Sequence, residues 1–228
     1  MLRPKKKITK KELKRDPVLE RIAQLDEFVH RQQKYVIYGL VGLVVIGVLA
    51  FVLIRSKQQA NLAAMGELGL AEQVLANNDY DDAILRLEGI VTRYKKTQGA
   101  GIATLLLAQT YIAKNDWENA LVQFEKYIDD YDNDKMLTAV AYNGLGIGAE
   151  QKGEWKKAAE YFSKAGKIAP YKFQRHEYYL NAARSYLKLE DWPKARARVA
   201  TILADEPEGY FKSQAEELNA QLEALSGN

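Results

Sequence analysis

Few side chains in this sequence could do chemistry, and their spacing argues against most of the chemistry they could support. The two histidines, His30 and His176, lie on opposite sides of a long charge-free apolar segment, so they cannot form the convergent nitrogen set that a transition metal needs. The acidic run Asp129-Asp130-Tyr131-Asp132-Asn133-Asp134 matches the first, third and fifth ligands of a calcium loop when counted from Asp130. Lys135 then stands where the sharp turn requires glycine, and Ala141 where the bidentate glutamate belongs. A solvated connecting loop fits this run better. Gly144-Leu145-Gly146-Ile147-Gly148 lacks the G-x-G-x-x-G spacing of a dinucleotide loop and sits inside an apolar-periodic helical pattern, where glycines permit close helix packing. There is no Walker motif, no G-x-S-x-G and no cysteine, which removes thiolate ligands, cysteine nucleophiles and disulfides together. No catalytic, cofactor-binding or metal-binding residue is expected, and nothing requires an enzyme.

The elements around these residues are more informative. Four short strings align: Asn78-Asp79-Tyr80-Asp81-Asp82-Ala83, Asn115-Asp116-Trp117-Glu118-Asn119-Ala120, Gly153-Glu154-Trp155-Lys156-Lys157-Ala158 and Glu190-Asp191-Trp192-Pro193-Lys194-Ala195. Each puts an aromatic residue three before an alanine, and the alanines recur at spacings of 37, 38 and 37 residues. Each string reads as a polar turn with a capping residue, an aromatic covering it, and an alanine where two helices approach closely. Upstream lie apolar-periodic segments with small residues near the middle: Gly69 and Ala71, Ala108, Gly144 with Gly146 and Gly148, and Ala182 with Ala183. Downstream, Leu87, Phe124, Phe162 and Val199 each stand four beyond the alanine. Each unit is therefore two antiparallel helices whose apolar faces need the next unit. A fully buried Trp155 ring would contribute about 3–5 kcal/mol to this array.

Charge and hydropathy divide the chain. Residues 1–34 carry eleven Lys/Arg and five Asp/Glu, a net +6, while residues 55–228 carry 22 and 25, a net −3. Between them, residues 35–54 read YVIYGLVGLVVIGVLAFVLI, about 30 Å of uncharged helix, the thickness of a hydrocarbon core. Tyr35 and Tyr38 at one end, and Arg55 with Lys57 at the other, suit the two interfaces. A cleaved signal peptide would have a shorter apolar core and a small-residue cleavage site. The basic cluster within residues 1–16 reads as a flexible tail. Asp16 and Pro17 then open an amphipathic juxtamembrane helix over 17–34, with Val18, Ile22, Leu25 and Val29 at helical spacing. Anionic lipid or a cytoplasmic partner could take up this basic region. Residues 55–61 read as a linker, 62–209 as the repeat array and 210–228 as a capping helix, giving an all-α chain.

The turn strings, the central alanine, the residue four beyond it, and Pro170 and Pro207 together resemble tetratricopeptide repeats, whose unit is about 34 residues. Glu67 and Thr104 depart from the pattern, occupying a place where that family carries an aromatic, so the N-terminal half is expected to pack less regularly. A basic tail, one span and an exported repeat domain are also similar in architecture to the family containing the ancillary subunit of the SecYEG translocon. The first resemblance implies a TPR-type α-solenoid of about four helix pairs, without enzymatic activity, that binds proteins or peptide segments in a groove. The groove would be lined by Leu68, Glu72 and Leu75; Leu105, Gln109 and Ile112; Asn143, Ile147 and Glu150; and Leu180, Arg184 and Leu187. Each of these could instead pack between units, and binding should depend most on Leu105, Ile112 and Ile147. The Lys and Asn clamp with which some members grip C-terminal carboxylates is missing, since Leu68, Glu72, Leu106, Val140 and Gly144 hold its places.

Two functional readings follow. One is an envelope chaperone-like or scaffold subunit tethered near a translocation or assembly machine. The other is a structural subunit of a stable membrane complex. The excess of basic residues before the span places the N-terminus in the cytoplasm, making a single-pass inner (plasma) membrane protein with extracytoplasmic, in a Gram-negative cell periplasmic, repeats. The −3 balance of the repeats disfavours specific nucleic-acid binding.

Overall fold

A computed structural model describes Arg21 and residues 32–225. The expected basic tail and nearly all of the expected amphipathic helix at 17–34 lie outside the described residues. The described residues form nine helices and no strand, and the chain separates into two compact units, Met1–Lys57 and Gln58–Asn228.

Helix α1 is long, Gln33–Ala76. By length and composition it is the one helix among the described residues able to cross a membrane. Among the described residues its large apolar side chains from Tyr35 to Ile54 are exposed, apart from half-buried Val36: Leu43, Phe51 and Leu53 each expose about two thirds or more of their surface. The expected linker at 55–61 is helical and continuous with α1. RSKQQAN contains no glycine or proline and is rich in good helix formers, so nothing in it stops the helix.

From Gln58 onward the chain is a series of helix pairs. The end of α1 pairs with α2 (Tyr80–Arg93), α3 (Gln98–Ala113) with α4 (Trp117–Tyr131), α5 (Lys135–Gln151) with α6 (Trp155–Ile168), and α7 (Lys172–Lys188) with α8 (Trp192–Ala204); α9 (Gly209–Leu225) follows. The four aligned strings build one turn four times. Asn78, Asn115, Gly153 and Glu190 take left-handed φ values of 57–70°. The next residue donates its N–H back to the carbonyls of Val74, Tyr111, Ala149 and Tyr186, the Schellman ending of a helix. That same residue then caps the following helix: Asp79, Asp116 and Asp191 accept from the amides of Asp82, Asn119 and Lys194. Glu154 makes no side-chain cap bond and ion-pairs with Lys157 instead. The turn aromatics stand at the first helical position, half-buried.

The core runs from unit to unit. Ala83, Ala120, Ala158 and Ala195 are fully buried, and Leu87, Phe124, Phe162 and Val199 are at most 2% exposed. The glycine run on α5 explains how two of these rings fit. A Cβ on Gly144 would lie 2.4 Å from the Phe124 ring, one on Gly146 2.5 Å from the Phe162 ring, and one on Gly148 2.4 Å from Leu121. These glycines are seats for neighbouring helices, not a phosphate loop. Gly69 faces open space instead, and Ala71 is the small residue at the α1 contact.

The two departures at Glu67 and Thr104 are compensated from the ends of the second helices. Tyr94 donates its hydroxyl to Glu67, which also accepts from Arg93. Tyr131 lies over Gly101, at about 3.2 Å from where a Cβ would be, while Thr104 turns its hydroxyl to the Ala100 carbonyl. The first two units thus draw aromatic bulk from a different position, the end of the second helix. In the acidic run, Asp134 caps α5 through the amides of Met136 and Leu137, and Tyr131 belongs to the core. At the C-terminal end, α9 buries Ala215, Leu218 and Leu222 and turns Glu216 and Glu217 to solvent.

Candidate binding surface on the first helices

The first helix of each pair carries the twelve residues expected to line a groove, as three equivalent positions repeated four times. The structure separates these positions. At the first of them Leu68, Leu105 and Leu180 are buried, 2–4% exposed, and sit in inter-unit cores with partners such as Ile90, Tyr127 and Val199. Of the two roles expected for these residues, Leu68 and Leu105 take the packing one, and Leu180 does so while also bordering the cleft described below. Each helix is turned so that this position meets its neighbours, and a leucine there gains more from burial than from facing solvent. Replacing Leu105 would open a cavity and not merely blunt a surface.

The other positions remain accessible. Glu72, Gln109 and Arg184 are exposed and Ile147 half-buried, and Leu75, Ile112, Glu150 and Leu187 are half-buried. Met65, Ile102 and Val140, one turn earlier on their helices, are half-buried as well. The result is an apolar strip with polar residues spaced along it. Asn143 breaks the leucine pattern at the first position: its Oδ1 is enclosed and accepts no hydrogen bond among the described residues. A buried acceptor left unpaired costs about 1–3 kcal/mol, so such a group is normally satisfied. Glu150, by contrast, is committed within the chain, accepting from the buried Ser185 hydroxyl at 2.8 Å, which ties α5 to α7.

Beyond the last pair the accessible strip meets α9 at an open cleft of about 180 Å³ lined by Glu177, Leu180, Asn181, Arg184, Tyr210 and Phe211. Both ends of the cleft are fixed. Arg184 donates to Gln214 at 2.6 Å, and the His176 ring meets Phe211 edge-on at 5.7 Å. His176, Arg175 and Lys172 converge on the end of α8, with Arg175 at 2.7 Å from the Asp205 carboxylate and Lys172 on its carbonyl. The hydrogen bond from Arg175, helped by His176, holds the Asp205 carboxyl below its ordinary range. A reading of residues 210–228 as a solvating cap misses this cleft. The signal for it is Tyr210-Phe211, two adjacent aromatics opening a helix that needs only three apolar residues to dock.

Residues 68–135 match the tetratricopeptide repeat family model. None of the curated proteins matches the chain. Solved structures of similar shape include MamA (TM-score 0.57, 16% identity, covering 72% of this chain and 82% of that one). Another is the nearly identical TPR-like repeats of a putative kinesin light chain from Podosopora anserina (TM-score 0.55, 15% identity, covering 72% and 86%). The apo form of RapI is a third (TM-score 0.56, 17% identity, covering 74% and 48%). Identities this low establish a shared fold: residues 58–225 form a TPR-type helical solenoid.

Proposed function

We propose that this chain is a membrane-tethered protein-binding module whose accessible strip of first-helix residues holds extended or partly unfolded segments of other proteins. The observation that carries this reading is the repeated half-buried apolar strip, Leu75, Ile112, Ile147 and Leu187, with exposed Glu72, Gln109 and Arg184 beside it. Apolar side chains spaced along a row of helices, interrupted by polar groups, suit main-chain and side-chain contacts from an extended segment. The charge-free, solvent-facing stretch 35–54 supports an anchor, because a helix with apolar residues on every face needs either a protein core or a lipid one. With the basic flank before it, the reading is a single-pass inner-membrane protein with extracytoplasmic repeats, working as a chaperone-like or scaffold subunit near a translocation or assembly machine. The early basic residues have anionic lipid or a cytoplasmic partner available to them.

The test is a double substitution, Ile112→Ser with Ile147→Ser, made in the full chain. Neither side chain is fully buried, so the helical circular dichroism should be retained while co-purification of bound proteins falls about tenfold or more. Unchanged co-purification with intact helicity would remove the strip as the site.

A second reading, a structural subunit of a fixed complex, is favoured by a separate observation. On α1, Leu62 and Leu70 are 72% and 55% exposed, and Gly66 and Gly69 between them have nothing within 4 Å of a Cβ. An open helix face of this kind suits close docking by another helix. Purification in mild detergent separates the readings: many sub-stoichiometric clients support the first, and one assembly of constant ratio the second.

A further inference from the structure

The net −3 of residues 55–228 conceals a division inside the repeats. Residues 58–151 carry seven Lys/Arg and fourteen Asp/Glu, a net −7, while residues 152–204 carry twelve and five, a net +7. Along the row of second helices the sign changes between two neighbours. Helix α4 holds Glu118, Glu125, Asp129 and Asp130 against Lys126, a net −3, and α6 holds four lysines against Glu160, a net +3. The outer two follow suit, α2 with a net −1 and α8 with three cations and no acid. From α2 to α8 the row therefore reads −1, −3, +3, +3, and turning it end for end sets every negative helix against a positive one.

The charges at the centre of this row face solvent. Glu118, Glu125 and Asp129 on α4, and Lys156, Lys164 and Lys167 on α6, are all exposed. Among the described residues none of the six is in an ion pair, and no salt bridge joins α4 to α6. Lys164 rests over the rings of Tyr142 and Tyr161, which places its ammonium without neutralising it. Helix stability explains Glu118 and Lys167, which sit at the ends where the helix dipole favours their charges. It does not explain Asp129 in the last turn of α4 or Lys156 in the first turn of α6, each at the disfavoured end. The places also match from unit to unit. Glu118 and Lys156 each follow a turn tryptophan, and Asp129 and Lys167 each lie eleven residues further on.

We infer that this face binds a second copy of the chain, with α4 of each copy against α6 of the other. Equivalent helices of successive units run in the same direction. A twofold axis parallel to them and passing between α4 and α6 brings Glu118 level with the second copy's Lys156 and Asp129 level with its Lys167, and does so twice. The other twofold arrangement of the same face, with the axis across the helices, would lay α4 on α4 and α6 on α6, like charge on like. The order of charges thus selects one orientation. An unrelated partner would need the same change of sign at the same helix spacing, and a second copy carries it by identity.

The experiment is analytical ultracentrifugation of the full chain in a zwitterionic detergent, which adds no net charge. At about 50 mM salt a particle holding two copies is expected, and raising the salt to about 500 mM should weaken the association about tenfold or more, because exposed charge pairs are screened. Two charge reversals, Glu118→Lys with Glu125→Lys and Asp129→Lys, and Lys156→Glu with Lys164→Glu and Lys167→Glu, should each leave a single-copy particle. Mixed together, the two variants should pair again, since α4 of each then matches α6 of the other. All six sites are exposed, so helical circular dichroism should be unchanged, and recovery on mixing excludes misfolding as the cause. A photo-crosslinker at Val122, between Glu118 and Glu125 on α4, should join the chain to another copy of itself and to no other protein. A wild-type chain that stays single at low salt, a dimer that survives either reversal or is indifferent to salt, or variants that stay apart when mixed would overturn the inference. So would oligomers that keep growing with concentration, because this twofold contact closes on two copies.

Discussion

Phe162→Ala should destabilise the repeat domain by about 3–5 kcal/mol, measured by denaturant or thermal unfolding followed by circular dichroism. The ring is fully buried and rests on the seat made by Gly146. It lies in a core shared by α5, α6 and α7 through Ala149, Ala158 and Ala182. Removing it therefore loosens both the third unit and its junction with the fourth, and the transition should broaden as cooperativity along the array is lost. Trp155→Ala is expected to cost clearly less, since that ring is half-buried and the condition of full burial is not met. The order matters more than either value. If Trp155→Ala proves the more damaging, the helical register assigned to the third unit is wrong.

The second large effect is all-or-none. When the chain is expressed in a Gram-negative host, protease added to spheroplasts should digest the repeats and leave the N-terminal basic segment protected. Eleven Lys/Arg precede the apolar stretch, and only Arg55 and Lys57 follow it within the next twenty residues. Basic residues near a span are retained on the cytoplasmic side, and the acidic residues among them contribute little to that choice. Protected repeats would reverse the orientation and with it the extracytoplasmic role.

Much of the fold was legible in the sequence because each unit repeats the same physical solution. A polar turn, an alanine at the contact and a large apolar residue four later recur at nearly constant spacing, and all four of those large residues are buried. Glycines on α5 were readable as packing residues for the same reason. What the sequence did not show depends on orientation about a helix axis. Leu68, Leu105 and Leu180 share one helical stripe with exposed Glu72, Gln109 and Arg184, and a modest rotation decides whether that stripe faces a groove or the next unit. Tyr94 and Tyr131 compensate for Glu67 and Thr104 across a distance that no local pattern contains. The run 55–61 reads as a linker only because it joins two segments of different character, while its own composition is helical. The cleft at α9 required knowing which face of α7 the capping helix leaves open.

The claim that the accessible strip of first-helix residues is where other proteins are held is tested most directly by site-specific photo-crosslinking in living cells. The crosslinker would be placed at exposed Gln109, and for comparison at Val122, which is 51% exposed on a second helix. Adducts with other proteins are expected from Gln109 and none above background from Val122. Equal yields at the two positions, or adducts from Val122 alone, would contradict the assignment.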